Sequence, residues 1–123
     1  MRGAGAVAVV LTTCALVALS AACGGGLSSA KADYQKGRIT EAKAELIALE
    51  PDSRSWSAQR RAEYALYRGL VHHSLGDRAA ASVWLGEAKA LDDAQPRTLE
   101  SEDRVRLKLA LESLASDPAA PAP

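Results

Sequence analysis

The chain has 123 residues, with 15 lysines and arginines against 15 aspartates and glutamates. That balance argues against a nucleic-acid binder, which shows a basic excess on one face. There is no Phe and only 4% of residues are aromatic, so the core is built from Ala, Leu and Val, a composition that points to helices.

Met1 to Cys23 reads as an export signal. Arg2 and the amino terminus make a positive end, and Ala4 to Leu19 is an uncharged run containing Val7, Val9, Val10, Leu11, Leu16, Val17 and Leu19. A signal segment needs an apolar stretch of roughly 7–15 residues, whereas a spanning helix needs about 20 with interfacial anchors. No Trp, Tyr, Lys or Arg marks the far end, and Gly24-Gly25-Gly26 follows the small residues Ser20-Ala21-Ala22 and Cys23. Three consecutive glycines disfavour a continuing helix.

Leu19-Ser20-Ala21-Ala22-Cys23 resembles a bacterial lipobox, with Ser20 where that family usually has Leu. The resemblance implies a signal peptide over 1–22 and cleavage before Cys23. Diacylglycerol then sits on the Cys23 sulfur, and fatty acyl chains such as palmitate anchor the protein to a membrane. Two or more acyl chains, at about 0.8 kcal/mol per buried methylene, make such an anchor stable. Cys14 leaves with the signal, so no disulfide is expected. Gly24, where inner-membrane retention usually resembles Asp, implies the periplasmic face of the outer membrane. The alternatives are an uncleaved anchor or an ordinary signal cut.

Residues 23–29 read as a flexible tether, and 117–123, with three prolines, as an extended, disordered tail. Between them, 30–116 is expected to form one all-α domain of about five helices. The first spans Ser29 to Lys36 and stops at Gly37. The second is capped by Thr40, carries Ala42, Leu46 and Leu49 on a stripe, and ends at Pro51. The third, Ser57 to Leu75, has apolar residues around most of its circumference and is expected to be central. The fourth, Arg78 to Leu91, buries Ala81, Leu85, Ala88 and Leu91. The fifth, Glu100 to Leu114, offers Val105, Leu107, Leu109, Leu111 and Leu114 as a broad apolar face. No run alternates with the period of a strand.

The helices repeat. Gly37, Ala42 and Leu46 recur as Gly76, Ala81 and Leu85, each 39 positions on (76 − 37, 81 − 42, 85 − 46). With Gly69, the Leu75-Gly76-Asp77 turn and Ala88, the stretch Ala62 to Asp93 resembles a tetratricopeptide repeat, whose usual interval is about 34 residues. It departs from that pattern at Ala65, Arg68, His72 and Asp93. The resemblance covers roughly Ala30 to Asp93 and implies antiparallel hairpins stacked as a short solenoid, with the fifth helix as the solvating cap of an open end. It also implies a partner groove on the third helix, at Glu63, Leu66, Leu70, His73 and Ser74 with Tyr67 adjacent. The competing reading covers this face with the first or fifth helix, making Tyr67 and His73 core.

Catalytic and metal chemistry are not indicated. His72 and His73 are neighbours about 100° apart on a helix and cannot chelate one ion as an i, i+4 pair can. His73 and Asp77 have that spacing, but Asp77 sits in the turn. Ser74 has no nucleophile elbow or oxyanion loop beside it. Arg54, Arg60, Arg61 and Arg68 form the densest basic patch, suited to an acidic partner, to phospholipid head groups or simply to solvent. No cofactor is expected. The expected function is a lipid-anchored, non-enzymatic protein–protein interaction module of the bacterial envelope, an accessory or scaffold of a secretion or assembly system with an unidentified envelope partner. The alternative is a small-ligand-binding or enzyme-accessory lipoprotein of cell-wall metabolism.

Overall fold

A computed structural model describes residues 25–95 and 97–116. The expected signal segment 1–22, Cys23 and the expected disordered tail 117–123 lie outside the described residues. Those described are all-helical, without a strand, and form five helices: α1 (Gly25–Gln35), α2 (Ile39–Ser53), α3 (Ala58–Ser74), α4 (Arg78–Ala94) and α5 (Ser101–Ser116).

Helix ends follow local chemistry with four departures from expectation. Ser57 caps α3 by accepting from the Arg60 amide, and Asp77 caps α4 by accepting from the Ala80 amide. In contrast, α2 begins at Ile39 after Arg38, which makes no side-chain cap, so Thr40 lies inside the helix rather than capping it. Pro51 also lies inside α2, in its last turn. A proline there forfeits only one intrahelical bond, and Ser53 Oγ donates to the Glu50 carbonyl at 2.7 Å. The first helix starts at Gly25, four residues before the expected Ser29, so most of the expected tether is helical. Tertiary packing outweighs the poor propensity of glycine here: Leu27 is buried, and Gly26 lies so close to Leu49 that a Cβ would stand 2.7 Å from its Cδ2. Helix α4 runs on to Ala94 because Asp92 is a buried anchor, not a loop residue.

Each helix packs on the next one in the chain, and α3 also touches α1 and α5; the backbones of α2 and α4 make no close approach to each other. The odd helices therefore form one layer, and the even helices flank it on the other side. The positions that recur in the sequence share local features. Gly37 and Gly76 each follow the first helix of a hairpin with φ of 79° and 81°, a left-handed turn that glycine adopts without strain. Ala42 and Ala81, like Leu46 and Leu85, are fully buried. At Gly69 the backbones of α3 and α4 approach closely, since an added Cβ would meet Leu85 Cγ at 2.5 Å and its backbone nitrogen at 3.0 Å.

With no Phe, two tyrosines on α3 fill the centre, and each hydroxyl needs a partner when buried. Tyr64 faces the even helices. It donates to the Leu46 carbonyl at 2.7 Å and stands edge-on between Trp56 and Trp84, with ring centroids 5.8 and 5.7 Å away. Tyr67 faces the odd helices, meets Tyr34 of α1 edge-on at 5.6 Å and donates to Asp103 of α5 at 3.0 Å. Arg106 also donates to that carboxylate at 2.9 Å. Burial and the Asp103 charge push the Tyr67 hydroxyl well above the usual tyrosine range, so it remains a donor. A second clamp joins α4 to α5: Asp92 accepts from Arg104 at 2.8 and 3.0 Å and from the Leu99 amide at 2.9 Å.

Candidate functional site

The groove expected on α3 is not open as drawn. Leu66 and Tyr67 are fully buried and Leu70 nearly so; α1 supplies Tyr34 and α5 supplies Asp103 against Tyr67. These two helices cover the face, so Leu66 and Tyr67 are core residues and leave the candidate site. Glu63 is half-buried and pairs with Lys31 of α1 at 3.4 Å, while Lys31 also sits 5.4 Å above the Tyr67 ring. His73 is half-buried, with Nε2 3.3 Å from Ser113 Oγ of α5. Ser74 Oγ donates back to the Leu70 carbonyl at 2.9 Å, an ordinary helix contact.

What the odd layer does offer is a shallow depression between α1, α3 and α5. It is lined by Leu70 and His73 of α3, Tyr34 of α1, and Arg106, Leu109 and Ser113 of α5. Two of the expected residues therefore belong to it, and the α5 residues were missed. Leu109 is 58% exposed and Val105, one turn earlier, is 56% exposed. The expected broad apolar face of α5 is thus split. Asp103, Leu107 and Ala110 are buried, Leu111 and Leu114 pack partly against the core, and Val105 with Leu109 points into solvent. The signal was present in the sequence: Val105 and Leu109 are four apart, and Leu107 with Leu111 forms a second i, i+4 pair about 160° around the helix from it.

A second concavity lies between α2 and α4, floored by α3. It has a volume of about 250 Å³ and is lined by Glu50, Arg54, Arg61, Tyr64, Trp84 and Glu87 among others. Its charges largely answer one another. Arg68 pairs with Glu50 at 3.2 Å, donates to the Tyr64 hydroxyl at 3.0 Å and stacks 4.4 Å over Trp84; Arg61 stands 3.9 Å from Glu87. Sites for small organic ligands start at about 300 Å³ and need polar groups free to turn to the ligand. This cleft is smaller, and of its charged lining only Arg54 lacks an ion-pair partner among the described residues.

His72 is buried on α3 and neither ring nitrogen has a hydrogen-bond partner among the described residues. Its Nδ1 is 3.8 Å from Asp77 Oδ2, too far for a hydrogen bond. Burial, with Arg68 nearby, holds its pKa below the ordinary histidine value. Among the described residues no three His, Cys, Asp or Glu side chains group as metal ligands. No described helix is long and apolar enough to cross a membrane. Compared with known family models, curated proteins and solved structures, the chain finds no match.

Proposed function

We propose that the protein is a lipid-anchored, non-enzymatic interaction module of the bacterial envelope, built on tetratricopeptide-like hairpins and held to the outer membrane through Cys23. It serves a secretion or envelope-assembly system by presenting the odd-helix face to a protein partner. The observation that carries this reading is the pair Val105 and Leu109, two large aliphatic side chains more than half exposed beside a depression that contains Leu70, Tyr34 and His73. Scattered single apolar residues on a surface need no explanation, but clustered ones beside a concavity favour binding of another protein. The equivalent glycines, alanines and leucines of the two hairpins support the repeat, and the lipobox-like ending at Cys23 supports the anchor.

The small-ligand alternative rests on the cleft between α2 and α4, and its paired charges and size weigh against it. The test is crosslinking in intact cells followed by mass spectrometry. A discrete envelope protein, recovered with wild type and lost with a Val105→Asp/Leu109→Asp variant of unchanged helix content, is the expected result. Retention of that partner by the variant rejects the odd-helix face. Release of the Cys23→Ser protein from membranes, or its persistence as an uncleaved precursor, is expected in parallel; an already water-soluble mature wild type rejects the anchor.

A further inference from the structure

The start of α1 fixes which end of the domain faces the bilayer, on the proposed reading that Cys23 carries the lipid. Only Gly24 separates Cys23 from Gly25, the first residue of α1, and two steps of chain reach at most about 7 Å. The head-group layer of one leaflet is itself roughly 5–7 Å thick. An anchor held at the base of that layer thus brings the amino-terminal end of α1 to the membrane surface.

Helix α1 runs antiparallel to α2 and parallel to α3. Gly26 lies against Leu49 near the end of α2, and Lys31 and Tyr34 meet Glu63 and Tyr67 of α3. The end of the domain that carries Gly25 therefore also carries the last turn of α2, the α2–α3 loop and the first turn of α3. That segment, Asp52 to Arg61, holds three arginines and Trp56 against one acid. Arg61 turns aside to Glu87. Arg54 and Arg60 are exposed and have no carboxylate within ion-pair distance among the described residues, and Arg60 lies 4.2 Å over the Trp56 ring. Trp56 is half-buried, with one edge on Tyr64. Tryptophan favours the level of the head groups and arginines are drawn to anionic lipid there.

We infer that Arg54, Trp56 and Arg60 form a membrane-contacting patch that binds anionic phospholipid head groups and sets the domain upright on its anchor. In that posture the α2–α3 loop lies on the bilayer, and the odd-helix depression, which extends along α3 and α5 towards His73 and Ser113 at the opposite end, is left facing a partner.

The chain has two tryptophans, which makes the test direct. Full-length lipoprotein purified from membranes is reconstituted into phosphatidylethanolamine–phosphatidylglycerol vesicles containing shallow-brominated lipid. Flotation reports the anchor, and tryptophan quenching reports the patch. In a Trp84→Phe background Trp56 is expected to lose emission to the brominated lipid, as an indole at head-group depth would. In a Trp56→Phe background Trp84, farther along the helices, stays bright. Arg54→Glu/Arg60→Glu in the first background restores Trp56 emission while the protein still floats. Protein that floats with Trp56 unquenched, or with both tryptophans quenched alike, overturns the patch and leaves the anchor standing. Wild type that does not float overturns the anchor itself, and the patch with it.

Discussion

Replacing Gly69 with Ala adds one methyl group where α3 and α4 are closest. Its carbon would stand 2.5 Å from Leu85 Cγ, 2.6 Å from Cδ2 and 3.0 Å from the Leu85 backbone nitrogen. Leu85 is fully buried, and to admit the methyl the helices must separate or Leu85 must leave its rotamer. Overpacking of this kind costs about 1–3 kcal/mol, while exchanging Gly for Ala in a helix returns about 1 kcal/mol. The net expected loss is up to about 2 kcal/mol, or a fall in Tm of up to roughly 8–16 °C for a domain of this size. Gly86 on α4 is the internal control, because nothing lies within 4 Å of a Cβ there. Gly86→Ala gains the helix propensity without the clash and is expected to raise Tm by about 4–8 °C. Thermal unfolding followed by far-UV circular dichroism measures both. A rise in both variants would refute the close approach of the two helices, and with it the placement of Gly69 in the repeat.

Three further expectations follow from buried or strained groups. His72 has a lowered pKa in the fold, so below about pH 6.5, the unfolded value, the unfolded chain takes up a proton that the buried ring resists, and stability falls as pH drops. His72→Leu should flatten that slope in urea midpoints measured from about pH 7 to about pH 5; equal slopes for the two proteins would contradict the burial. Asp92→Ala removes the acceptor of the Leu99 amide and of Arg104, and is expected to cost about 2–4 kcal/mol in urea unfolding. The Asp92 carboxyl lies below its usual range chiefly through the Arg104 hydrogen bonds, so its contribution is present at neutral pH and is lost as pH falls through the folded-state value. Arg97 has φ of 72°; a β-branched side chain is costlier there than Arg, and Arg97→Val should lower stability by about 1 kcal/mol while Arg97→Gly should not.

The parts of the fold that were legible rest on local chemistry. Helix α3 announced itself through apolar residues on all sides, and Gly37 and Gly76 through their place after a helical stripe. Ser57 and Asp77 cap α3 and α4 within one residue of the expected helix starts. Boundaries set by tertiary contact were not legible. Gly25 and Gly26 read as tether because glycine disfavours helices, yet Leu27 and Leu49 hold that turn against α2. Asp92 looked like a loop residue because its partner Arg104 stands twelve positions away. The candidate site was half legible for the same reason. Leu70 and His73 were expected from the tetratricopeptide resemblance, but only the position of α5 decides that Tyr67 is core and that Leu109 is exposed.

The central claim is that the odd-helix face meets a protein partner while the even-helix face does not. Val83 on α4 and Leu109 on α5 are both exposed aliphatic residues, 68% and 58% accessible, on the two sides of the molecule. A photo-crosslinking amino acid placed at each in turn, in full-length protein in living cells, compares the faces at matched exposure. A discrete adduct of one size from position 109 and none from position 83 is the predicted result. No adduct at 109, or the same adduct from both positions, would contradict it.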